Sequence, residues 1–195
     1  GCEVAVFPAT GMGGRAFESL AAQGRFAAVL DFAPQEVGNH LMGSAISAGA
    51  DRMTNAGAQG IPQMIAPGCY DLIDFVGWQE APEKLRGQDV HAHNRLLSSV
   101  LLTADQRREM ARELCRKAAN AQGPNVMFLP LKGCNEWDRA GAPLHDAEGL
   151  AAFVDELRAQ CPANLTLVEL DAHINDDAFA AAVLAQFDDW CATGI

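Results

Sequence analysis

Residues 4–20 read VAVFPATGMGGRAFESL, and this stretch decides the fold. Its apolar start predicts a buried strand over residues 4–7, and the spacing of the apolar residues that follow predicts an amphipathic helix over residues 14–23. Three glycines lie in the turn between them, where they permit positive φ and leave backbone N–H groups uncovered. A strand, a glycine-rich turn and a helix in this order indicate an α/β fold.

The glycine-rich turn has two interpretations. Backbone amides at the start of a helix, together with the helix dipole, attract a phosphate or a carboxylate. Alternatively, the glycines only allow a tight turn between strand and helix. The spacing matches neither the G-x-G-x-x-G pattern nor the P-loop, so no standard nucleotide motif is present. The residues predicted to hold an anion are Thr10, Gly11, Gly13, Gly14 and Arg15.

The composition indicates a globular protein that is not expected to bind nucleic acid or a membrane surface. Of 195 residues, 49% are hydrophobic and 20% are charged, which is enough for a sizeable core. The net charge is −11, whereas phosphate backbones and anionic lipids are bound by clustered Lys and Arg. Six cysteines lie far apart without a C-x-x-C pattern, and no signal peptide or membrane span is apparent. We therefore expect free thiols and a cytoplasmic location.

Apolar runs alternate with amphipathic segments along the rest of the chain. Further strands are predicted at residues 28–32, 62–66, 125–131 and 165–170. Further helices are predicted at residues 35–47, 51–59, 103–120, 146–160 and 176–191. Residues 71–76 fit a strand or a short helix, and residues 77–93 are predicted to be a polar excursion. The pattern predicts a single α/β domain over residues 1–195, with an open, mostly parallel, Rossmann-like sheet and helices on both faces.

In such a sheet, ligands bind at the carboxyl ends of the strands. The loops at those ends carry more polar residues than their length would suggest, so we expect a composite cleft there. A lysine after a buried strand is suited to balancing a phosphate. The ligand-binding residues predicted in these loops, besides those of the glycine-rich turn, are Glu36, Gly68, Lys132, Gly133 and Asn175.

Asp171 and His173 follow the last predicted strand and lie two residues apart. In an extended segment they share a side, and a carboxylate near an imidazole holds its tautomer and raises its pKa. This pair is therefore the candidate for catalysis, with His173 as general acid or base and Asp171 as its orienter. The alternative is a hydrogen-bonded structural cap at the start of the following helix.

A second histidine pair, His91 and His93, has the spacing of some metal sites. No third ligand lies nearby in the sequence, and His145 and His40 would qualify only if the fold brings them close. We therefore expect an ordinary loop or an anion contact rather than a metal.

Several segments together resemble the UPF0261 family, also called Tm-1-like ATP-binding proteins. The matching segments, in order, are FPATGMGGRA at residues 7–16, AGADR at 48–52, GIPQ at 60–63, LPLKG at 129–133 and ELDAHIND at 169–176. The resemblance implies a two-domain α/β protein of which this chain is the C-terminal half. It also implies ATP or another phosphorylated ligand, because nucleotide binding is attributed to the plant member.

Three hypotheses follow for the function. The first is a domain that binds a small phosphorylated or carboxylated molecule at the glycine-rich turn. The second is an enzyme whose active site lies between this domain and a missing N-terminal domain. The third is a non-catalytic interaction or assembly domain, and the Ala-rich helices would support a homo-oligomer.

Overall fold

A computed structural model describes residues 2–195 of the chain. Its strands are β1 (Val29–Asp31), β2 (Gln63–Ile65), β3 (Leu72–Val76), β4 (Val90–Ala92), β5 (Leu97–Leu101), β6 (Asn125–Pro130) and β7 (Thr166–Leu170). Its α-helices are α1 (Met12–Ala22), α2 (Gln35–Met42), α3 (Asn55–Ala58), α4 (Ala104–Ala118), α5 (Ala147–Gln160) and α6 (Asp177–Thr193). A turn of 3₁₀ helix covers Glu83–Leu85.

The main sheet has four parallel strands in the order β1-β2-β6-β7. Alternate side chains of β6 point to opposite faces of this sheet, as the strand period requires. Met127 packs in a core with α4 and α5, whereas Phe128 packs in a second core with Phe179 and Trp190 of α6. Helices therefore cover both faces, and the predicted α/β class is confirmed.

A second, smaller sheet is antiparallel and has the order β3-β5-β4. Residues 71–76, which fitted either type of element, form strand β3 in it. The polar excursion at residues 77–93 was predicted without regular structure, yet it contains the 3₁₀ turn and β4. Strand β5 was not predicted, because two serines interrupt its apolar run. One of them, Ser99, is buried and donates to Asp74 at 2.5 Å.

The strand predicted at residues 4–7 is wrong. This segment has no regular secondary structure, and Val4 and Val6 are 75% and 85% exposed. Among residues 2–195, β1 pairs with β2 and with no second strand on its other side. Phe7 anchors the segment through ring contacts with Phe17 at 5.8 Å and Phe26 at 5.9 Å. A short apolar run that forms no ladder hydrogen bonds does not become a strand.

The carboxyl ends of β2, β6 and β7 lie at one edge of the main sheet because these strands are parallel. The loops that leave this edge cover residues 66–71, 131–146 and 171–176. They contain most of the polar residues predicted to form the composite cleft.

Candidate functional site

The glycine-rich turn holds a carboxylate from the chain itself. The Gly11 N–H donates to Glu36 Oε1 at 2.5 Å, and the Gly14 N–H donates to the same oxygen at 3.2 Å. Glu36 lies in the first turn of α2 and is fully buried. An external anion at this turn would therefore have to displace Glu36, and such binding stays a prediction. Thr10 and Arg15 lie exposed beside the turn.

Arg52 neutralises Glu36 from the other side. Its Nε donates to Glu36 Oε2 at 2.8 Å, and its two terminal nitrogens bind both oxygens of Asp31. Burial alone would lower the pKa of Arg52, but Asp31 and Glu36 raise it above its ordinary value. Glu18 lies 3.5 Å from Arg52 and accepts hydrogen bonds from the backbone of Met53 and from Asn55, while burial raises its pKa. This cluster is a structural tie between α1, β1, α2 and the segment before α3.

Close packing explains two glycines of the turn. A β-carbon on Gly13 would lie 1.9 Å from the carbonyl oxygen of Pro8, and one on Gly14 would lie 2.0 Å from Glu36 Oε2. Gly11 adopts φ of 87°, which side chains rarely tolerate. The turn is thus built to bring backbone against Glu36.

His173 is buried and both of its ring nitrogens are occupied. Its Nδ1 accepts from the Asn175 N–H at 3.1 Å. Its Nε2 therefore carries the proton and lies 2.9 Å from both the Asn135 carbonyl oxygen and Asp138 Oδ1. Only 1% of His173 is exposed. In this arrangement the imidazole ties the loops after β6 and β7 together.

The predicted pair of Asp171 with His173 needs correction. Asp171 is 84% exposed in its side chain, and its Oδ2 lies 3.0 Å from Lys132 Nζ. The carboxylate that contacts His173 comes from Asp138, which also accepts from the Cys134 N–H at 2.6 Å. Residues two apart at the end of a strand do not share a side here, because the chain turns after β7.

The other predicted residues of the carboxyl edge lie close to His173. Gly133 has φ of 122°, and a β-carbon there would lie 2.7 Å from His173 Cδ2. Asn175 donates its side-chain amide to Glu136 at 3.1 Å and is exposed. Gly68 is buried beneath the edge, where a β-carbon would lie 2.1 Å from the Phe32 carbonyl oxygen. The structure therefore brings Lys132, Gly133, His173 and Asn175 together, whereas Glu36 contacts the glycine-rich turn.

Asp71 is a buried carboxylate beneath the same edge. Both of its oxygens accept from the Asn135 side-chain amide, at 2.9 and 3.1 Å. Burial raises the pKa of Asp71 to about 6, although Arg107 and the Asn135 hydrogen bond oppose that shift. Through Asn135 this carboxylate is connected to the loop that holds His173.

An open cavity of about 710 Å³ lies at the carboxyl edge, between the loops after β6 and β7 and helix α5. We call it the edge cavity. Its charged and imidazole lining residues are Lys132, Arg139, His145, Asp155, Arg158, His173 and Asp176. Its apolar lining residues are Leu131, Ala140, Ala147, Leu150, Ala151 and Val154.

The cations of the edge cavity are paired with carboxylates near its surface. Arg139 Nη1 lies 3.0 Å from Asp176 Oδ1, and Lys132 is paired with Asp171. Arg158 is held more firmly, since its Nε and Nη2 each lie 2.7 Å from an oxygen of Glu169.

His145 is the exposed histidine of the edge cavity. Its Nδ1 lies 2.9 Å from the backbone carbonyl oxygen of Asp138. A carbonyl oxygen can only accept, so Nδ1 carries a proton and Nε2 is left with its lone pair. The neighbouring Asp146 is engaged elsewhere, with Arg107 at 2.9 Å.

The second histidine pair packs on an aromatic ring. The rings of His91 and His93 lie 5.0 and 4.9 Å from the ring of Trp137, and His93 Nδ1 lies 3.8 Å from Asp74 Oδ1. Within residues 2–195, no three His, Cys, Asp or Glu side chains are arranged to hold a metal ion.

Two further observations concern the whole described part of the chain. All six cysteines at residues 2–195 are free thiols. Over the same residues, none of the helices combines the length and the apolar character needed to cross a membrane.

Sequence reasoning missed Arg52, Asp138 and Arg139 as members of these clusters. Asp138 and Arg139 lie in a loop without periodicity, and only the fold places them beside His173 and Asp176. Arg52 forms part of the AGADR segment that supported the family resemblance, but its partners lie 16 and 21 residues away.

The fold and the edge cavity define an α/β domain with a parallel sheet and, at the carboxyl ends of its strands, a cavity lined by apolar, cationic and anionic side chains. The chain belongs to the UPF0261 family: the description "Uncharacterised protein family (UPF0261) C-terminal domain" matches residues 1–191. The resemblance found in the sequence is thereby confirmed.

Individual relatives agree with this assignment. A UPF0261 protein of Brucella melitensis is 51% identical over 195 residues, which are 100% of this chain and 47% of the relative. A UPF0261 protein of Clostridium tetani is 32% identical over 94% of this chain and 46% of the relative. The tomato ToMV resistance protein Tm-1(GCR237) is 29% identical over 96% of this chain and 25% of the relative. The chain thus spans about half the length of the bacterial relatives it matches.

Proposed function

We propose that this domain binds a small molecule bearing a phosphate or a carboxylate in the edge cavity. The observation that carries the proposal is the gathering of three cationic side chains in its lining. The chain has a net charge of −11 and only 14 Lys and Arg residues, yet Lys132, Arg139 and Arg158 line this one cavity. Positive side chains gathered in a concave surface favour an anionic ligand.

Two of these cations are available to a ligand at low cost. The carboxylate partners of Lys132 and Arg139 are Asp171 and Asp176, whose side chains are 84% and 36% exposed. Ion pairs of this kind contribute only about 0–1 kcal/mol, because water competes for both groups. A ligand anion can therefore replace the internal carboxylate, and Arg139 offers the planar geometry that binds carboxylate or phosphate in a bidentate way.

The apolar part of the cavity favours an organic ligand over a free inorganic ion. Leu150 and Val154 of α5 and Leu131 after β6 line the wall beside the cations. A binding site of this size, with apolar walls and a few convergent polar groups, is typical of sites for small molecules. A phosphorylated metabolite, a carboxylic acid and a nucleotide such as ATP all satisfy these requirements.

The proposal also covers a further domain, the location and the oligomeric state of the protein. The bacterial relatives are about twice as long as this chain, so we infer that a further domain works with this one. The cavity is open, and that domain would cover it when ligand is bound. We also expect a cytoplasmic location and a homo-oligomer. The exposed free thiols of Cys2 and Cys191 are compatible with the cytoplasmic location.

The test is calorimetric titration of the protein with inorganic phosphate, succinate and ATP. At least one of them should bind, and Arg139→Gln should weaken that binding about tenfold or more, as expected for loss of one charge-assisted contact. Arg108→Gln is the matched control, because the Arg108 side chain on α4 is 41% exposed and, within residues 2–195, forms its ion pair with Asp105, outside the edge cavity. Binding that is equal in all three proteins would contradict the proposal.

A further inference from the structure

We propose that His145 is a proton-dependent ligand of the anion in the edge cavity. This inference rests on the proposed function and identifies the group that makes ligand binding respond to pH. His145 would contribute a hydrogen bond and a positive charge only when its ring is doubly protonated.

The orientation of the His145 ring supports this role. Its Nδ1 is fixed by the Asp138 carbonyl oxygen at 2.9 Å, so the proton gained on acidification goes to Nε2. Nε2 has no partner among the hydrogen bonds of residues 2–195, and the residue is exposed where it lines the cavity. Neutral His145 presents a lone pair that repels an anion, whereas protonated His145 presents an N–H donor.

His173 lines the same cavity but cannot take this role. Its Nδ1 accepts from the Asn175 amide, and its Nε2 lies 2.9 Å from Asp138 and from the Asn135 carbonyl oxygen. A second proton on Nδ1 would break the Asn175 contact inside a buried site. Of the two histidines, only His145 has a ring nitrogen that can take a second proton without breaking a hydrogen bond within residues 2–195.

The charges around His145 come from each element that lines the cavity. They are Lys132 and Arg139 from the loop after β6, Asp155 and Arg158 from α5, and His173 and Asp176 from the segment before α6. The backbone carbonyl oxygen of Asp138 contacts His145, whereas the Asp138 carboxylate contacts His173. Because the two lining carboxylates are paired with Arg139 and Arg158, a bound anion is the group that most favours protonated His145.

Binding and protonation are then linked in both directions. If protonation of His145 strengthens anion binding, a bound anion must favour the protonated ring to the same extent. Ligand is therefore held more tightly on the acidic side of neutrality.

Calorimetric titration with inorganic sulfate tests the inference, because the charge of sulfate does not change near neutrality. We expect sulfate to bind about tenfold more tightly at about pH 5.5 than at about pH 8, across the range in which histidine titrates. His145→Gln should remove this pH dependence, because a glutamine amide gains no proton between these pH values. His40→Gln is the matched control, because His40 is exposed on α2 and bonded to Ser47 at 3.2 Å.

The outcomes separate the inference from the function on which it rests. Sulfate binding that keeps its pH dependence in His145→Gln would overturn the role of His145, while the anion site itself would stand. Absence of sulfate binding to the wild-type protein at both pH values would overturn the role of His145 and count against the anion site as well. A nitrogen NMR spectrum of the histidine rings gives a second readout, since sulfate should shift the ring nitrogen resonances of His145 and leave those of His40 in place.

Discussion

Gly14 lies so close to Glu36 that a β-carbon on the glycine would be 2.0 Å from Glu36 Oε2. Its amide also donates to Glu36 Oε1 at 3.2 Å. The glycine-rich turn is therefore shaped around a carboxylate, and the chain supplies that carboxylate itself. This arrangement accounts for the glycines without an external ligand.

Gly14→Ala should destabilise the protein. A glycine-to-alanine change inside a helix ordinarily stabilises by about 1 kcal/mol. Here the added methyl group would press on a buried side chain that is fixed by Arg52, and overpacking costs about 1–3 kcal/mol. Urea unfolding measures the difference, with Ala16→Gly on the exposed side of α1 as the helix-propensity control. An unfolding free energy equal to or above that of the wild type would refute the close contact.

Glu36→Gln should also lower the free energy of unfolding. The change keeps the shape of the side chain but removes the charge that faces Arg52 at 2.8 Å and the amide of Gly11 at 2.5 Å. Loss of one partner from a buried ion pair costs about 3–5 kcal/mol. The control is Glu109→Gln, whose carboxylate is 43% exposed and 3.9 Å from Lys84. If both variants unfold at the same urea concentration, Glu36 is not the anion that organises the turn.

Asp138 and Asp171 should differ sharply in their contribution to stability. Asp138→Asn removes a buried carboxylate that contacts His173 and the Cys134 amide, so we expect a loss of about 1–3 kcal/mol. Asp171→Asn removes an exposed partner of Lys132 and should change stability by less than about 1 kcal/mol. Thermal unfolding of the two variants, side by side, makes the comparison. The reverse order would restore Asp171 as the partner of His173.

Asp71 should make the protein less stable as pH rises through the acidic range. Burial raises its pKa in the folded state to about 6 from its ordinary value of 3.8, so the folded protein holds a proton that the unfolded chain has released. Between these two values the folded state binds more protons, and stability therefore falls with increasing pH, by about 3 kcal/mol in total.

The pH series should be measured for the wild type and for Asp71→Asn. The other titrating groups are shared, so the difference between the two unfolding free energies isolates Asp71. As the pH rises from about 4 to about 6, the wild type should lose stability relative to Asp71→Asn. Above and below this range the difference between the two unfolding free energies should be constant. A difference that is constant throughout would mean that Asp71 titrates normally.

The sequence was informative where structure is local and periodic. The helix predicted at residues 146–160 begins at Asp146, whose side chain accepts from the Gly149 N–H at 2.9 Å. The closing helix was predicted from Asp176 onward, and α6 starts one residue later. Apolar periodicity and capping residues encode such elements within a few positions of chain.

The predictions that the structure contradicts depend on which residues become neighbours when the chain folds. Residues 4–7 have the apolar pattern of a strand, but a strand requires a neighbour, and β1 does not pair with them. Glu36 was predicted to help bind an external anion, whereas its charge is balanced by Arg52. The spacing of Asp171 and His173 suggested a pair, yet the turn after β7 separates them. The contacts that replace the predicted ones, Glu36 with Arg52 and His173 with Asp138, join residues far apart in the sequence, and no local pattern records them.

Backbone NMR with inorganic phosphate tests the central claim most directly. Amide resonances should be assigned and followed as phosphate is added, with the chain uniformly labelled with nitrogen-15. Shifts are expected at Lys132, Arg139 and His145, which line the edge cavity, and at Gly133 beside Lys132, with none at Gly11, Gly13 and Gly14, whose turn is filled by Glu36. Shifts confined to the glycine-rich turn would contradict binding in the edge cavity.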